Sequence, residues 1–210
     1  MTRNIILTVL MLQSCAAIDF KEYPAVTKTI LFGVPETPIT KKYYEETKYS
    51  FVQVKIGRFK KSILVLASID EDLYLWVGPM GEKIYTSNGK IIKSYGLEHD
   101  VKLIKGKNFN FLQNTPTYSS LIQLYSPPAL TTINYEMALE GEARYIFNEN
   151  LDSDQAVNGQ LTKYIESFNA ERYRWVGENI YWVDLNGRVI RSLQNYHPLE
   201  TKIQMTFYYK

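Results

Sequence analysis

From Phe51 the chain takes up a period of two, with Val52, Val54 and Ile56 on one side and Phe51, Gln53 and Lys55 on the other. That alternation predicts a strand with one face turned to a core. Gly57 and Arg58 turn the chain into the stretch from Ile63 to Ile69, a nearly continuous apolar run that predicts a strand buried on both faces. "LYLWV" follows an Asp70-Glu71-Asp72 turn, and then come "EKIYTS", an Asn88-Gly89 turn and "KIIKSYG". Short strands parted by turn residues describe an antiparallel meander over about 51–105. In the middle, "LIQLY" ends at Pro127-Pro128, since neither proline donates to a ladder. "TTINYEMALEGEARYIFNEN" reads as two strands with a turn at Gly141, and "LDSDQAVNG" as a loop. From about 160 to 210 the meander resumes in "QLTKYIESFN", "ERYRWVG", "NIYWVD", "GRVIRSLQ" and "KIQMTFYY". Ahead of all this, Thr40 is placed to cap a short helix running through Lys48.

The expected fold is therefore mainly β: antiparallel meanders forming a barrel-like or sandwich domain over residues 30–210, with two related sub-repeats and at most one or two short helices. The sub-repeats rest on a repeated phrase. "WVGPMGEKIYTSNGKIIKS" starts at Trp76 and "WVGENIYWVDLNGRVIRS" at Trp175, and their Asn-Gly pairs, Asn88-Gly89 and Asn186-Gly187, lie 98 positions apart. Asn and Gly tolerate positive φ, and Asn-Gly favours the type I′ hairpin turn, so the phrase predicts two turn-and-strand frames of the same geometry. Strict alternation in the strands that follow puts Ile91, Lys93 and Tyr95 on one face and Lys90, Ile92 and Ser94 on the other, with Val189, Arg191, Leu193 and Arg188, Ile190, Ser192 as their counterparts.

Composition adds a preference for half-buried strands: 17 Tyr accompany nine Phe and three Trp. The formal charge is +2 with both signs interspersed and no run of five basic residues, which argues against a nucleic-acid partner. The start of the chain is different in kind. Arg3 precedes an apolar run of eight residues from Ile5 to Leu12, too short to span a bilayer as a helix and the right size for a signal-peptide core. It leads to Leu12-Gln13-Ser14-Cys15, which resembles a bacterial lipobox and contains the chain's single cysteine. Residues 1–14 are thus expected to be a lipoprotein signal peptide and 15–29 a lipidated N-terminus and tether. Ala16 rather than Asp after Cys15 points to an anchor in the outer membrane of a Gram-negative cell, with the domain on the periplasmic face. A transmembrane barrel is not expected, because the chain ends on Lys210 after a lipobox and not on an aromatic residue.

Little in the sequence reads as catalysis. His99 and His197 lack cysteine partners and metal-ligand spacing, and His197, before Pro198 in a turn, is expected to be solvated. No metal, cofactor, nucleophile elbow or phosphate loop is expected. Asp184 reads as a cap on the Asn186-Gly187 turn. The candidate polysaccharide-binding residues are Trp76, Lys93, Trp175, Trp182, Arg188 and Arg191, because aromatic faces stack on sugar rings and cations beside them pair with acidic groups.

"YWVDLNGRVIRSLQNYHPLETKIQM", with Tyr181, Trp182, Asp184, Gly187, Arg188, Val189, Arg191, Ser192, Gln194 and Pro198, resembles the C-terminal signature of the group 4 capsule polysaccharide lipoproteins (the YjbF/GfcB family). The stretch "ILVLASIDEDLYLWVGPMGEKIYTSNGKIIKSYGLEHDV" is similar to that family's other block, and the likeness runs from about Ile30 to the C-terminus. The resemblance implies a mostly antiparallel β lipoprotein acting with capsule or exopolysaccharide secretion machinery. The expected role is a non-catalytic accessory in capsule or exopolysaccharide assembly or export, whose partners are an acidic polysaccharide or export proteins. The alternatives are a periplasmic lipid or acyl-chain carrier and a polysaccharide-modifying hydrolase.

Overall fold

A computed structural model describes residues 39–105, 118–126, 129–142 and 161–210. The signal segment 1–14, Cys15, the tether and the expected loop at "LDSDQAVNG" lie outside the described residues. The compact unit that holds the described residues runs Glu36–Lys210.

The short helix is present as α1, Lys41–Glu46, and ends two residues before Lys48. Thr40 caps it, its Oγ1 accepting the Tyr43 N–H at 3.1 Å. Strands follow as β1 (Phe51–Ile56), β2 (Ser62–Asp70), β3 (Leu73–Val77), β4 (Lys83–Ser87), β5 (Lys90–Tyr95), β6 (Asp100–Lys105), β7 (Tyr118–Ser126), β8 (Ala129–Glu142), β9 (Thr162–Ala170), β10 (Trp175–Val183), β11 (Val189–Gln194) and β12 (Ile203–Tyr208). Each pairs antiparallel with the next, and β12 pairs with β1 from Phe51↔Tyr208 to Ile56↔Ile203, so the sheet closes into a barrel. Among the described residues every strand has a neighbour on each side, so the sheet has no end strand.

Two expected elements differ. The apolar run at Ile63 to Ile69 is not buried on both faces: Leu64 and Leu66 pack into the core, while Val65 and Ile69 are exposed on the outer wall. A barrel strand has only one inner face, so continuous apolarity there does not produce double burial. Gly141 marks no turn either, since β8 runs unbroken past it and pairs Gly141 with Tyr164.

Inward positions carry Val52, Val54, Leu64, Trp76, Ile84, Ile122, Leu124, Met205 and Phe207, while Lys55, Lys83, Lys93, Lys102, Lys163 and Glu178 stand on the outer wall. This is the inverse of a membrane-spanning barrel, whose wall is apolar and whose lumen is polar. A second small cluster lies outside the wall, where Ile39, Tyr43 and Tyr44 of the α1 region cover Phe51 and Tyr208. Phe51 and Tyr208 stack at 4.6 Å, and Tyr44 donates its hydroxyl to the Tyr209 carbonyl at 2.9 Å.

A round barrel of this many strands would enclose more space than side chains fill, since about eight strands already give an interior of side-chain width. Here opposite walls touch. The strands β5 and β11 are six steps apart around the closed order, yet Gly89 at the head of β5 sits so close to β11 that an added Cβ would lie 2.5 Å from the Val189 Cβ. The barrel is pinched there, and its interior is a packed core rather than a channel.

Candidate functional site

The pinch is built by residues of the C-terminal signature. Gln194 projects inward from β11, and its Oε1 accepts the Ile91 N–H at 3.0 Å while its Nε2 donates to the Gly89 carbonyl at 2.8 Å. The first half of β5 has no ladder partner in β6, because those two strands share only the pair Lys93↔Lys102. The Gln194 carboxamide therefore stands in for the peptide group of a missing neighbour, satisfying backbone groups that burial would otherwise strand. Nε2 also donates to Ser192 Oγ at 2.8 Å.

Beyond the pinch lies a buried ion pair that the sequence did not announce. Lys90 Nζ stands 2.6 Å from Glu166 Oε1. The other carboxylate oxygen, Oε2, accepts from Asn179 Nδ2 at 2.9 Å and from the Tyr181 hydroxyl at 3.0 Å. Burial lowers the Lys90 pKa from its ordinary value, and the Glu166 charge and hydrogen bond act against that shift. A cavity of about 20 Å³ beside Lys90, Trp175, Asn179 and Asn195 has room for about one water.

At the end of the barrel where β1–β2, β3–β4, β5–β6 and β11–β12 connect, an open cup of about 540 Å³ is floored by Val54, Leu64 and Ile84 and rimmed by Phe59, Met80, Glu82, Glu98 and Glu200. Glu82 Oε2 accepts the Met80 N–H at 2.9 Å, and Glu200 lies 4.0 Å from His99 Nε2. Two loops meet at this end through stacked imidazoles, His99 and His197, with ring centroids 4.7 Å apart and planes within 9°. His197 is buried, not solvated as its turn position suggested. Burial, then the neighbouring His99, lowers its pKa to about 4, with Asp100 opposing. Its Nδ1 accepts the Leu199 N–H at 3.2 Å, which suits the neutral ring. Among the described residues no cluster of three or more His, Cys, Asp or Glu side chains is arranged to hold a metal.

The six candidate binding residues do not form one surface. Trp76 is wholly buried inside the barrel, its Nε1 donating to Thr86 Oγ1 at 2.8 Å, so it offers no sugar platform. Trp175 also faces inward, edge-on to Phe168 at 4.7 Å. Arg188 lies at the other barrel end, where its Nη2 is 3.1 Å from Asp184 Oδ2 and its guanidinium is 5.5 Å from the Tyr209 ring. Lys93 on β5 and the pair Trp182 on β10 and Arg191 on β11 remain on the outer wall, but on opposite sides of the closed strand order. The Arg191 guanidinium lies 5.2 Å from the Trp182 ring, and Lys93 Nζ lies 4.4 Å from the Tyr95 ring and 5.4 Å from Tyr85.

The repeated phrase is not two copies of one structure. In the first, Pro79 and Gly81 break the chain after β3, and a turn held by Gly78 N–H to the Glu82 carbonyl at 2.9 Å starts a new strand. The second lacks that pair of residues, and "WVGENIYWV" runs as the single strand β10. The turns differ as well. Asn88 and Gly89 have φ of 46° and 73°, the type I′ signature, whereas only Gly187 (79°) has positive φ in the second. There Asp184 Oδ1 accepts the N–H groups of Asn186 and Arg188, both at 2.9 Å, across a longer loop. What does recur is a β-bulge. Tyr85↔Lys93 is followed by Thr86↔Ile91, and Trp182↔Arg191 by Val183↔Val189, which leaves Ile92 and Ile190 as the extra residues. The bulge breaks the strict alternation, so Ile91 and Ser94, like Val189 and Ser192, are buried together while Lys93 and Arg191 turn outward. Each copy thus sets a cation beside the aromatic residue opposite it on the neighbouring strand.

Fold and site together define a closed antiparallel β-barrel domain with a packed, pinched interior and cation–aromatic pairs on its wall. The chain matches the family described as group 4 capsule polysaccharide lipoprotein gfcB, YjbF over residues 25–208, and it belongs to that family. Among solved structures it is similar to the crystal structure of the hypothetical lipoprotein YmcC from Escherichia coli (K12), with a TM-score of 0.70 and 17% identity, covering 88% of this chain and 94% of that one. At that identity the likeness speaks for the fold. No curated protein sequence matches.

Proposed function

We propose that this protein is an outer-membrane lipoprotein, held through acylated Cys15 on the periplasmic face, that serves as a non-catalytic accessory in capsule or exopolysaccharide assembly or export. The observation that carries the reading is family membership over residues 25–208, which takes in the whole barrel and not one motif. The lipobox at Leu12 to Cys15 supports the anchor. Two or more acyl chains on Cys15 make a stable attachment, where one would be marginal. The accessory role is favoured over a hollow acyl-chain carrier because the walls meet at the pinch, where the cavity holds only about 20 Å³, and the apolar cup of about 540 Å³ at the barrel end is open and rimmed by Glu82, Glu98 and Glu200. It is favoured over a hydrolase because two rim carboxylates have local structural ties, Glu82 to the Met80 N–H and Glu200 to His99.

Deleting the gene tests the role: surface polysaccharide falls if the reading is right, and unchanged surface polymer defeats it. Cys15→Ala tests the anchor, since the variant leaves the membrane fraction if lipidation holds the domain there.

A further inference from the structure

We propose that the outer wall of β4–β7 is a binding surface for an acidic polysaccharide, with Tyr95 and Tyr125 stacking on sugar rings while Lys83, Lys93 and Lys102 pair with its carboxylates. The proposal rests on the accessory role above and names the ligand class and the surface.

Strand register creates the surface. Inward positions on these strands are Ile84, Thr86, Ser94, Val101, Ile122 and Leu124, so the residues between them stand outside. One row across the wall reads Tyr85↔Lys93↔Lys102↔Gln123, and flanking it are the pairs Lys83↔Tyr95 and Asp100↔Tyr125. Neighbouring strands lie about 4.8 Å apart, so the four strands present a face roughly 14 Å wide. Tyr95 is 46% exposed and Tyr125 38%, against complete burial of Trp76. Tyr85 and Tyr95 meet edge to face at 6.2 Å with Lys93 Nζ over both rings, which holds the aromatic faces and the cation in one place. Tyr125 is steadied by its hydroxyl bond to Gln123 Oε1 at 2.9 Å.

Charge identifies the partner. Lys93 and Lys102 are direct cross-strand neighbours, an arrangement that destabilises a sheet. None of Lys83, Lys93 and Lys102 has a carboxylate partner among the described residues. The nearby carboxylate of Asp100 is turned into the β5–β6 loop, accepting from Ser94 Oγ at 2.6 Å and Gly96 N–H at 2.9 Å. Stability is therefore given up at a site where an external anion would recover it. Exposed tyrosines beside those lysines suit flat rings carrying acid groups. They do not suit a nucleic-acid backbone, which requires a longer basic track.

The test measures binding of polygalacturonate to the full chain in detergent at low salt, with neutral dextran and phosphatidylglycerol vesicles as comparisons. Wild type binds polygalacturonate and not dextran, and binding weakens as salt is raised. The Lys93→Gln/Lys102→Gln variant loses about tenfold or more in affinity, and Tyr95→Ala loses about tenfold. The double variant keeps an unfolding temperature within a few degrees of wild type, because the relieved Lys93–Lys102 repulsion offsets the lost contacts of Lys93 with the Tyr85 and Tyr95 rings, so weaker binding is not a folding defect. Absence of polygalacturonate binding, equal binding by the double variant, or loss from Trp182→Ala on the opposite wall instead would overturn the proposal. Preference for the vesicles would overturn it in favour of a membrane-facing wall. In cells, full restoration of surface polymer by the double variant defeats this surface and leaves the accessory role standing, whereas an unaffected deletion strain defeats the role itself.

Discussion

The pinch makes a sharp quantitative prediction at Gln194. Replacing it with Met keeps an unbranched side chain of similar length in the core but removes the carboxamide. The Ile91 N–H and the Gly89 carbonyl, bonded at 3.0 and 2.8 Å, then lose their partners in a buried setting. Each unsatisfied buried group costs about 1–3 kcal/mol, so the pair costs about 2–6 kcal/mol. For a chain of this size that lowers the unfolding temperature by about 5–20 °C. Urea unfolding followed by tryptophan fluorescence reads the loss, because Trp76 and Trp175 sit in the interior the pinch closes. Amide exchange localises it, with Ile91 losing protection before its neighbours in β4. If Gln194→Met unfolds within about 0.5 kcal/mol of wild type and Ile91 stays equally protected, the carboxamide is not closing the wall and the reasoning fails.

Lys90→Met leaves the Glu166 carboxylate buried without its cation and should cost about 3–5 kcal/mol, while adding Glu166→Gln should return most of that in the same urea titration. Gly89→Ala meets both a positive φ and the Val189 side chain, whereas Gly81→Ala meets positive φ in open space; the first should cost about 2 kcal/mol more, and equal costs would argue against contact between the walls. His197 has a folded pKa of about 4 against an ordinary 6.5, so the unfolded chain binds the extra proton between those values. Stability is then full above about pH 6.5 and falls towards pH 4 by at most about 3 kcal/mol. His197→Gln should flatten that part of the melting-temperature profile, and an unchanged profile would show that another group titrates.

Much of the wall was legible in the chain, because a strand declares itself through local alternation and turns through local chemistry. The alternation at Val52, Val54 and Ile56, the Thr40 cap and the Asn88-Gly89 turn all depend on residues a few positions apart. The double burial expected for Ile63 to Ile69 failed because apolarity says a side chain can be buried, not that a second layer exists to bury it. The repeated phrase misled for a related reason. Matching letters at Trp76 and Trp175 fall on strands of different length, since one Pro79 and one Gly81 decide where the ladder stops.

What the sequence by itself determined was the kind of wall, the family signature, and a cation a few residues beyond each Asn-Gly turn. Tertiary structure alone decided which side of the wall each residue serves and which residues meet. Gln194 reaches Gly89 across 105 positions, and Lys90 reaches Glu166 across 76. No period or motif encodes such contacts, because they exist only once closure brings distant strands face to face. The same closure took Trp76 out of reach of any ligand and left Lys93 and Lys102 side by side on the outer face.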